Sequence, residues 1–268
     1  MRRIRPAAVA GLFYPGGPGE LAHAVDRLID AARPAADTPP DAAPPVALIS
    51  PHAGYVYSGP TAACGYVRLV PWREAITRVV VIGPAHHVPV RGLALSSAEG
   101  FATPLGVVPL DSEANALLLE GTGVGVDDRA HAPEHSVEVQ LPFLQRVLGS
   151  GWQFVPVLAG AASAAVVADA LEPLWGAPGT LVVISSDLSH YLDLDSARRI
   201  DAVTADAVVR AAWEELGSEQ ACGVVPVRGA LELARRHGQS VTLLDLRTSG
   251  DTAGPPDRVV GYGSFAIR

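Results

Sequence analysis

Three stretches of this chain are continuous apolar runs that stop abruptly at polar, turn-prone residues. Val79-Val80-Val81-Ile82 runs into Gly83-Pro84 and then the pair His86-His87. Val46-Ala47-Leu48-Ile49 leads to Ser50-Pro51-His52-Ala53-Gly54-Tyr55. Leu181-Val182-Val183-Ile184 leads to Ser185-Ser186-Asp187-Leu188-Ser189-His190. A strand without polar alternation is buried on both faces, which is the mark of a sheet covered by helices. Strands are predicted at 46–50, 78–83, 92–96, 153–158, 180–185, 241–246 and 259–267. Helices are predicted at 19–32, 60–70, 111–121, 136–149, 163–175, 195–216 and 225–238. This alternation predicts an α/β fold with a central, largely parallel or mixed sheet flanked by helices. In such sheets ligands bind beyond the carboxyl ends of the strands, so the three polar run-ends mark the place to look for function.

The rest of the chain is compatible with one folded domain over residues 1–268. With 268 residues, 49% apolar and 18% charged, the chain can bury a substantial core. Its 20 basic and 28 acidic residues give a net charge of −8, which argues against binding a nucleic-acid backbone or an anionic membrane. Arginines such as Arg73 and Arg78 remain available for a local basic pocket. No apolar run approaches the roughly eighteen residues of a spanning helix. Met1 to Ala10 is too short and proline-interrupted for a secretory leader, and it passes into the turn-like Gly11-Leu12-Phe13-Tyr14-Pro15-Gly16-Gly17. Cys64 and Cys222 are far apart, so no disulfide framework is expected and a reducing cytoplasm is the default. The proline-rich segment 33–45 reads as a surface loop within the domain. No repeat is visible at solenoid periods.

Four of the eight histidines (His52, His86, His87 and His190) lie in the strand-end loops. One such histidine alone is best read as fixing its own loop by a hydrogen bond. Several converging imidazoles are a different matter, because neutral imidazole ligates zinc, iron and copper. Ala132-Pro133-Glu134-His135-Ser136-Val137-Glu138 sits at a predicted helix start, with Glu134 and Glu138 four apart and therefore expected on one face. Two readings stay open there: carboxylates that orient metal-bound imidazoles, or acidic residues and Ser136 stabilising a helix N-terminus. Cys222 precedes the helix predicted at 225. It is either a thiol activated by that helix end or a small buried residue. Cys64 reads as helix packing. No Walker loop, dinucleotide fingerprint or paired CxxC motif is present. Gly121-Thr122-Gly123-Val124-Gly125 follows a helix, the wrong context for phosphate.

Taken in order, these motifs resemble those of the Memo family, whose bacterial and archaeal members include protein B of the AmmeMemoRadiSam system. The likeness begins at Ala10-Gly11-Leu12-Phe13-Tyr14-Pro15 and passes through Pro51-His52-Ala53-Gly54-Tyr55, Gly83-Pro84-Ala85-His86-His87 and Glu134-His135-Ser136-Val137-Glu138. It continues through Ser185 to His190 and Ala221-Cys222-Gly223, and ends at Val260-Gly261-Tyr262-Gly263. That family is in turn similar to class III extradiol dioxygenases, α/β proteins holding non-haem iron(II). The resemblance implies a metal site from His52, His86 and Cys222, with Asp187 and His190 beside it, and it lifts Cys222 to a ligand. A thiolate in place of a carboxylate shifts preference towards copper(I) or thiolate-ligated iron.

Two functions from different classes follow from that resemblance. The first is a metal-dependent redox protein, with iron(II) or copper, acting on oxygen or a small organic substrate; His190 is its general acid/base and Asp187 orients His190 or a water. The second is a non-catalytic module that captures a peptide or phosphorylated ligand in an enzyme-like crevice. A metal-free hydrolase using Cys222 ranks below both. The system name implies a radical-SAM protein and an AMMECR-type protein as functional neighbours.

Overall fold

The computed structural model describes residues 3–33 and 43–268; residues 34–42 of the proline-rich segment lie outside the described residues. In chain order the first strands are β1 (Ile4–Arg5), β2 (Ala47–Ser50), β3 (Arg78–Pro84), β4 (Leu93–Leu95), β5 (Gly100–Thr103) and β6 (Gly106–Pro109). There follow β7 (Val124–Val126), β8 (Gln153–Ala159), β9 (Thr180–Ser185), β10 (His190–Leu192), β11 (Val241–Thr248) and β12 (Val259–Ile267). The helices are α1 (Pro18–Ala31), α2 (Tyr55–Tyr66), α3 (Ser112–Leu119) and α4 (Asp128–His131), then α5 (Leu141–Leu148), α6 (Ala164–Leu171), α7 (Leu194–Val209) and α8 (Val224–Arg236). All seven predicted strands are present. No helix among the described residues is long and apolar enough to cross a membrane.

The main sheet is mixed. Its order is β10-β12-β2-β9-β3-β8-β4-β7, with β11 also paired to β12. The three apolar runs are its centre: β2, β9 and β3 lie side by side and parallel. Ser50 pairs with Ser185 and Ile82 with Ile184, so all three strands end at nearly one level. β12 closes one flank antiparallel to β2, and β4 runs antiparallel to β8 on the other.

Strand alternation sorts the core into two layers. Leu48, Val79, Val81, Leu181 and Val183 pack towards α1, α2 and α5, through residues such as Val25, Tyr66 and Phe143. Ile49, Val80, Ile82, Val182 and Ile184 pack towards α6 and α8, through Val167, Leu171, Ala230 and Leu231. Each of these strand side chains stabilises the fold by about 1.5–3 kcal/mol, relative to leaving it exposed.

A smaller sheet, β1 parallel to β5 and β5 antiparallel to β6, is tied to the main body by Arg5. The buried Arg5 guanidinium pairs with Glu138, donates to the Glu134 carbonyl, and donates through Nε to the His131 carbonyl at 3.0 Å. Glu138 also accepts from the Ala8 and Val9 amides at 2.7 and 3.0 Å and from the Tyr14 hydroxyl at 2.5 Å. This corrects the expectation that Glu134 and Glu138 share a helical face. The helix begins at Leu141, after a single 3-10 turn at Glu138–Gln140. Glu134 draws the His135 and Ser136 amides onto its own carboxylate, both at 2.8 Å, which competes with helical hydrogen bonding. Ser136 caps nothing; its hydroxyl donates to the Pro84 carbonyl at 2.8 Å. Arg78, the candidate for a basic pocket, is committed to Asp111 at 2.6 Å.

His131 is fully enclosed beside this sheet, with Nε2 2.9 Å from the Ala94 carbonyl. Burial pushes its pKa down to about 4, against that hydrogen bond and aided by the Arg5 charge. A histidine depressed in the folded state contributes stability above its unfolded value near 6.5, and loses it as pH falls towards 4. Denaturant titrations between pH 4 and 7 should show His131→Gln with a pH slope shallower than the wild type by up to about 1.4 kcal/mol per pH unit. An unchanged slope in that window would contradict the assignment.

Candidate metal centre

The common end of β2, β9 and β3 positions the polar loops. His52 lies two residues beyond β2, His86 two beyond β3 and Asp187 two beyond β9. Cys222 arrives from the opposite layer, just before α8. The first turn of α8 docks on the β9 loop: the Gly223 amide donates to Ser186 Oγ at 3.0 Å, and the Asp187 amide donates to Cys222 Sγ at 3.3 Å. Gly223 is required at that contact, since a Cβ there would lie 2.6 Å from Ser186 Cβ and 2.7 Å from the Ser185 carbonyl oxygen.

The side chains meet. His52 Nε2 lies 3.3 Å from Cys222 Sγ, across 170 residues of sequence. His52, His86 and Cys222 each offer one donor atom, and these atoms all lie within 4.8 Å of one another. The His52 and His86 rings are 5.3 Å apart, edge to face. His87, the second of the pair, reaches only the edge of the His135 ring at 5.8 Å.

Hydrogen bonds choose which imidazole nitrogen faces this meeting point. Ser185 Oγ donates its proton to the Ser136 carbonyl at 2.6 Å and accepts from Gln140 Nε2 at 2.7 Å. Its remaining lone pair faces His52 Nδ1 at 2.9 Å. His52 therefore carries its proton on Nδ1 and presents a lone pair on Nε2, towards Cys222. Gln140 is held in turn by the Tyr66 hydroxyl, which donates to Oε1 at 2.6 Å, and Gln140 Nε2 also reaches the Pro51 carbonyl at 2.9 Å. His86 Nδ1 lies 3.0 Å from Glu134 Oε1, which fixes its proton there and frees its Nε2. A further set, His86, Glu134 and His135, is also close enough to hold an ion. Its carboxylate is already saturated, however: it accepts from the His86, His135 and Ser136 amides and lies 3.2 Å from His135 Nδ1. Burial opposes ionisation of Glu134, but the hydrogen bonds from His135, His86 and these amides hold its pKa well below the usual carboxylate range. Glu134 orients imidazoles, the first of its two sequence readings.

Electrostatics separate this thiol from an activated nucleophile. Burial, then the Asp187 charge, push Cys222 up to about 12, although it precedes a helix. Burial outweighs the helix end here. Burial likewise pushes His52 down to about 4. Burial of both groups therefore disfavours the thiolate a hydrolase needs. A cation at the meeting point reverses the balance, because a coordinating thiol is deprotonated by the ion.

A cavity of about 690 Å³ opens directly onto these residues, lined by His52, His86, His135, Asp187, His190 and Cys222 together with aromatic side chains. Asp187 Oδ1 accepts from the His52 amide at 2.8 Å. His190 Nδ1 faces the Leu188 carbonyl at 2.8 Å, leaving Nε2 as its free acceptor. Among the described residues Asp187 and His190 share no hydrogen bond. Ser185, Gln140 and Tyr66 were not singled out from the sequence; Ser185 stood in a quoted motif, but nothing marked Gln140 or Tyr66. Cys64 lies apart on α2, half-buried, with Sγ 3.4 Å from the Pro60 carbonyl.

An α/β sheet edge carrying two imidazoles and a thiol at one cavity defines a candidate metal-binding protein class. The family assignment agrees in extent: the family model described as Memo-like protein matches residues 5–266. A MEMO1 family protein of Aquifex aeolicus is 36% identical, covering 97% of both chains. Others of the same description are 36% identical in Methanopyrus kandleri and 35% in a Thermotoga species, covering 98% of this chain and 99% of theirs. This chain belongs to the Memo family.

Removing the Ser185 hydroxyl would strand two buried N–H groups, His52 Nδ1–H and the one Gln140 N–H that does not reach Pro51. An unsatisfied buried donor costs about 1–3 kcal/mol. Ser185→Ala should therefore lose about 2–5 kcal/mol in denaturant unfolding, and a loss under about 0.5 kcal/mol would show that this network carries no weight.

Proposed function

We propose that this chain is a transition-metal protein with a redox function, its ion held by His52 Nε2, His86 Nε2 and Cys222 Sγ. The observation that carries the reading is the convergence of three donor atoms from three separate loops. The His52–Cys222 spacing suits one ion: nitrogen and sulfur bonded at about 2.0 and 2.3 Å in tetrahedral geometry stand about 3.5 Å apart, His52 Nε2 and Cys222 Sγ are 3.3 Å apart, and the His86 donor lies within 4.8 Å of both. Two imidazoles and one soft thiolate favour iron or copper over magnesium or calcium. Bound there, such an ion supplies one-electron chemistry and a coordination position open to a small molecule.

The protein's own residues supply the rest. Ser185 and Glu134 hold the two imidazoles in the ligating tautomer. With His52, His86 and Cys222 as its only protein ligands at the cavity, an ion held there would be left room for a further ligand, as catalytic sites leave and structural sites do not. His190 Nε2 is the general acid/base on the cavity wall, and Asp187 holds the His52 loop while its carboxylate faces the same space. The competing reading, a module that captures a peptide or phosphorylated ligand, shares this cavity but gives no role to the aligned ring nitrogens.

Elemental analysis of anaerobically purified protein tests the ligand set. Wild type should carry close to one equivalent of iron or copper, falling at least tenfold in His52→Ala, His86→Ala and Cys222→Ala. Circular dichroism confirms that each variant is folded. Full metal content in all three would end the assignment.

A further inference from the structure

We propose that the outer half of the same cavity recognises a small planar molecule bearing one oxyanion, carboxylate or phosphate, with Arg258 as its anchor. The proposal rests on the metal reading only for what happens at the molecule's inner end.

Three observations converge on it. First, Arg258 lines the cavity and pairs with no carboxylate among the described residues. Arg198 and Arg247, by contrast, are paired with Asp251 and Asp245. Second, the Arg258 guanidinium lies over the Tyr191 ring, 4.4 Å from its centroid. Stacking engages the flat face and leaves the in-plane N–H edge free, the edge that binds an oxyanion in a bidentate manner. Third, Tyr191 is held in a conformation that side chains avoid, with φ of 62°. It sits where the pairing of β10 with β12 slips between His190 and Leu192. Leu192 pairs with Val259, so the slip sets Tyr191 beside Arg258. Strain of this kind clusters at binding sites. Here it maintains an aromatic ring that is 63% exposed, rather than one buried for stability.

The cavity has a gradient that orients the guest. Its inner end holds His52 and Asp187, both nearly fully buried; its outer end holds Tyr191, Arg258 and Leu12, all exposed. The Asp187 carboxylate repels an anion at depth, while Arg258 attracts one at the mouth. Phe13, Tyr57 and Tyr262 also line the cavity with flat apolar surface. A planar body lies along these rings with its anionic group outward and its uncharged end inward.

Isothermal titration of metal-free protein with benzoate and phenyl phosphate, against their uncharged counterpart benzamide, separates the two sources of oxyanion. At least one anionic probe should bind at least tenfold more tightly than benzamide, and the tighter of the two names the group. Arg258→Gln should abolish that preference and Arg258→Lys restore part of it, with metal content in separately loaded samples unchanged in both. Equal affinity for charged and uncharged probes, a preference that survives Arg258→Gln, or no saturable binding of either anion up to about 10 mM would overturn the proposal. Because the titration is done without metal, a protein that never loads iron or copper would still pass or fail it independently.

Discussion

The parallel register of three strands is the constraint on which the rest depends. Between their first and last residues β2, β9 and β3 carry no polar side chain, as suits the centre of a covered sheet. Their pairing in step, Ser50 with Ser185 and Ile82 with Ile184, brings three loops to one edge. A one-residue slip would turn every alternating side chain to the other layer and part the loops. Core packing and site geometry are therefore one specification: Val183 and Ile184 point into opposite layers, and Ser185 and Asp187 follow directly from where those residues end.

Below the cavity floor, a buried polar chain translates that position into chemistry. From α2, Tyr66 donates to Gln140 in the turn before α5, Gln140 donates to Ser185 at the end of β9, and Ser185 alone contacts His52 Nδ1. On the other side Glu134 does the same for His86. Such networks are costly unless each member is satisfied, and here the hydroxyl of Ser185 has one donor role and two acceptor roles, all filled. The result is two ring nitrogens aimed at a common point before any ligand arrives.

The long apolar strands were legible because continuous burial leaves a continuous hydrophobic run. Apart from β4, the shortest ones were not: β1, β7 and β10 hold two or three residues each and exist through pairing alone. The helix predicted from Pro60 begins instead at Tyr55, whose hydroxyl donates to the Val139 carbonyl at 2.7 Å; a tertiary anchor overrides the proline signal. His52 and His86 could be suspected from their strand ends. Cys222 could not be chosen over a buried packing role from its neighbours in sequence, since its partner lies 170 residues away; family resemblance supplied it, and the fold shows the approach. Glu138 was misplaced because its partners, Arg5 and Tyr14, come from the N-terminal end of the chain, 133 and 124 residues away.

In the proposed site one ion draws together a thiolate and two imidazoles. X-ray absorption at the edge of the bound metal reads this directly. The account predicts one sulfur at about 2.3 Å and two imidazole nitrogens at about 2.0–2.1 Å, with the sulfur shell lost in Cys222→Ser. A spectrum with only nitrogen and oxygen neighbours in the wild-type protein would contradict it.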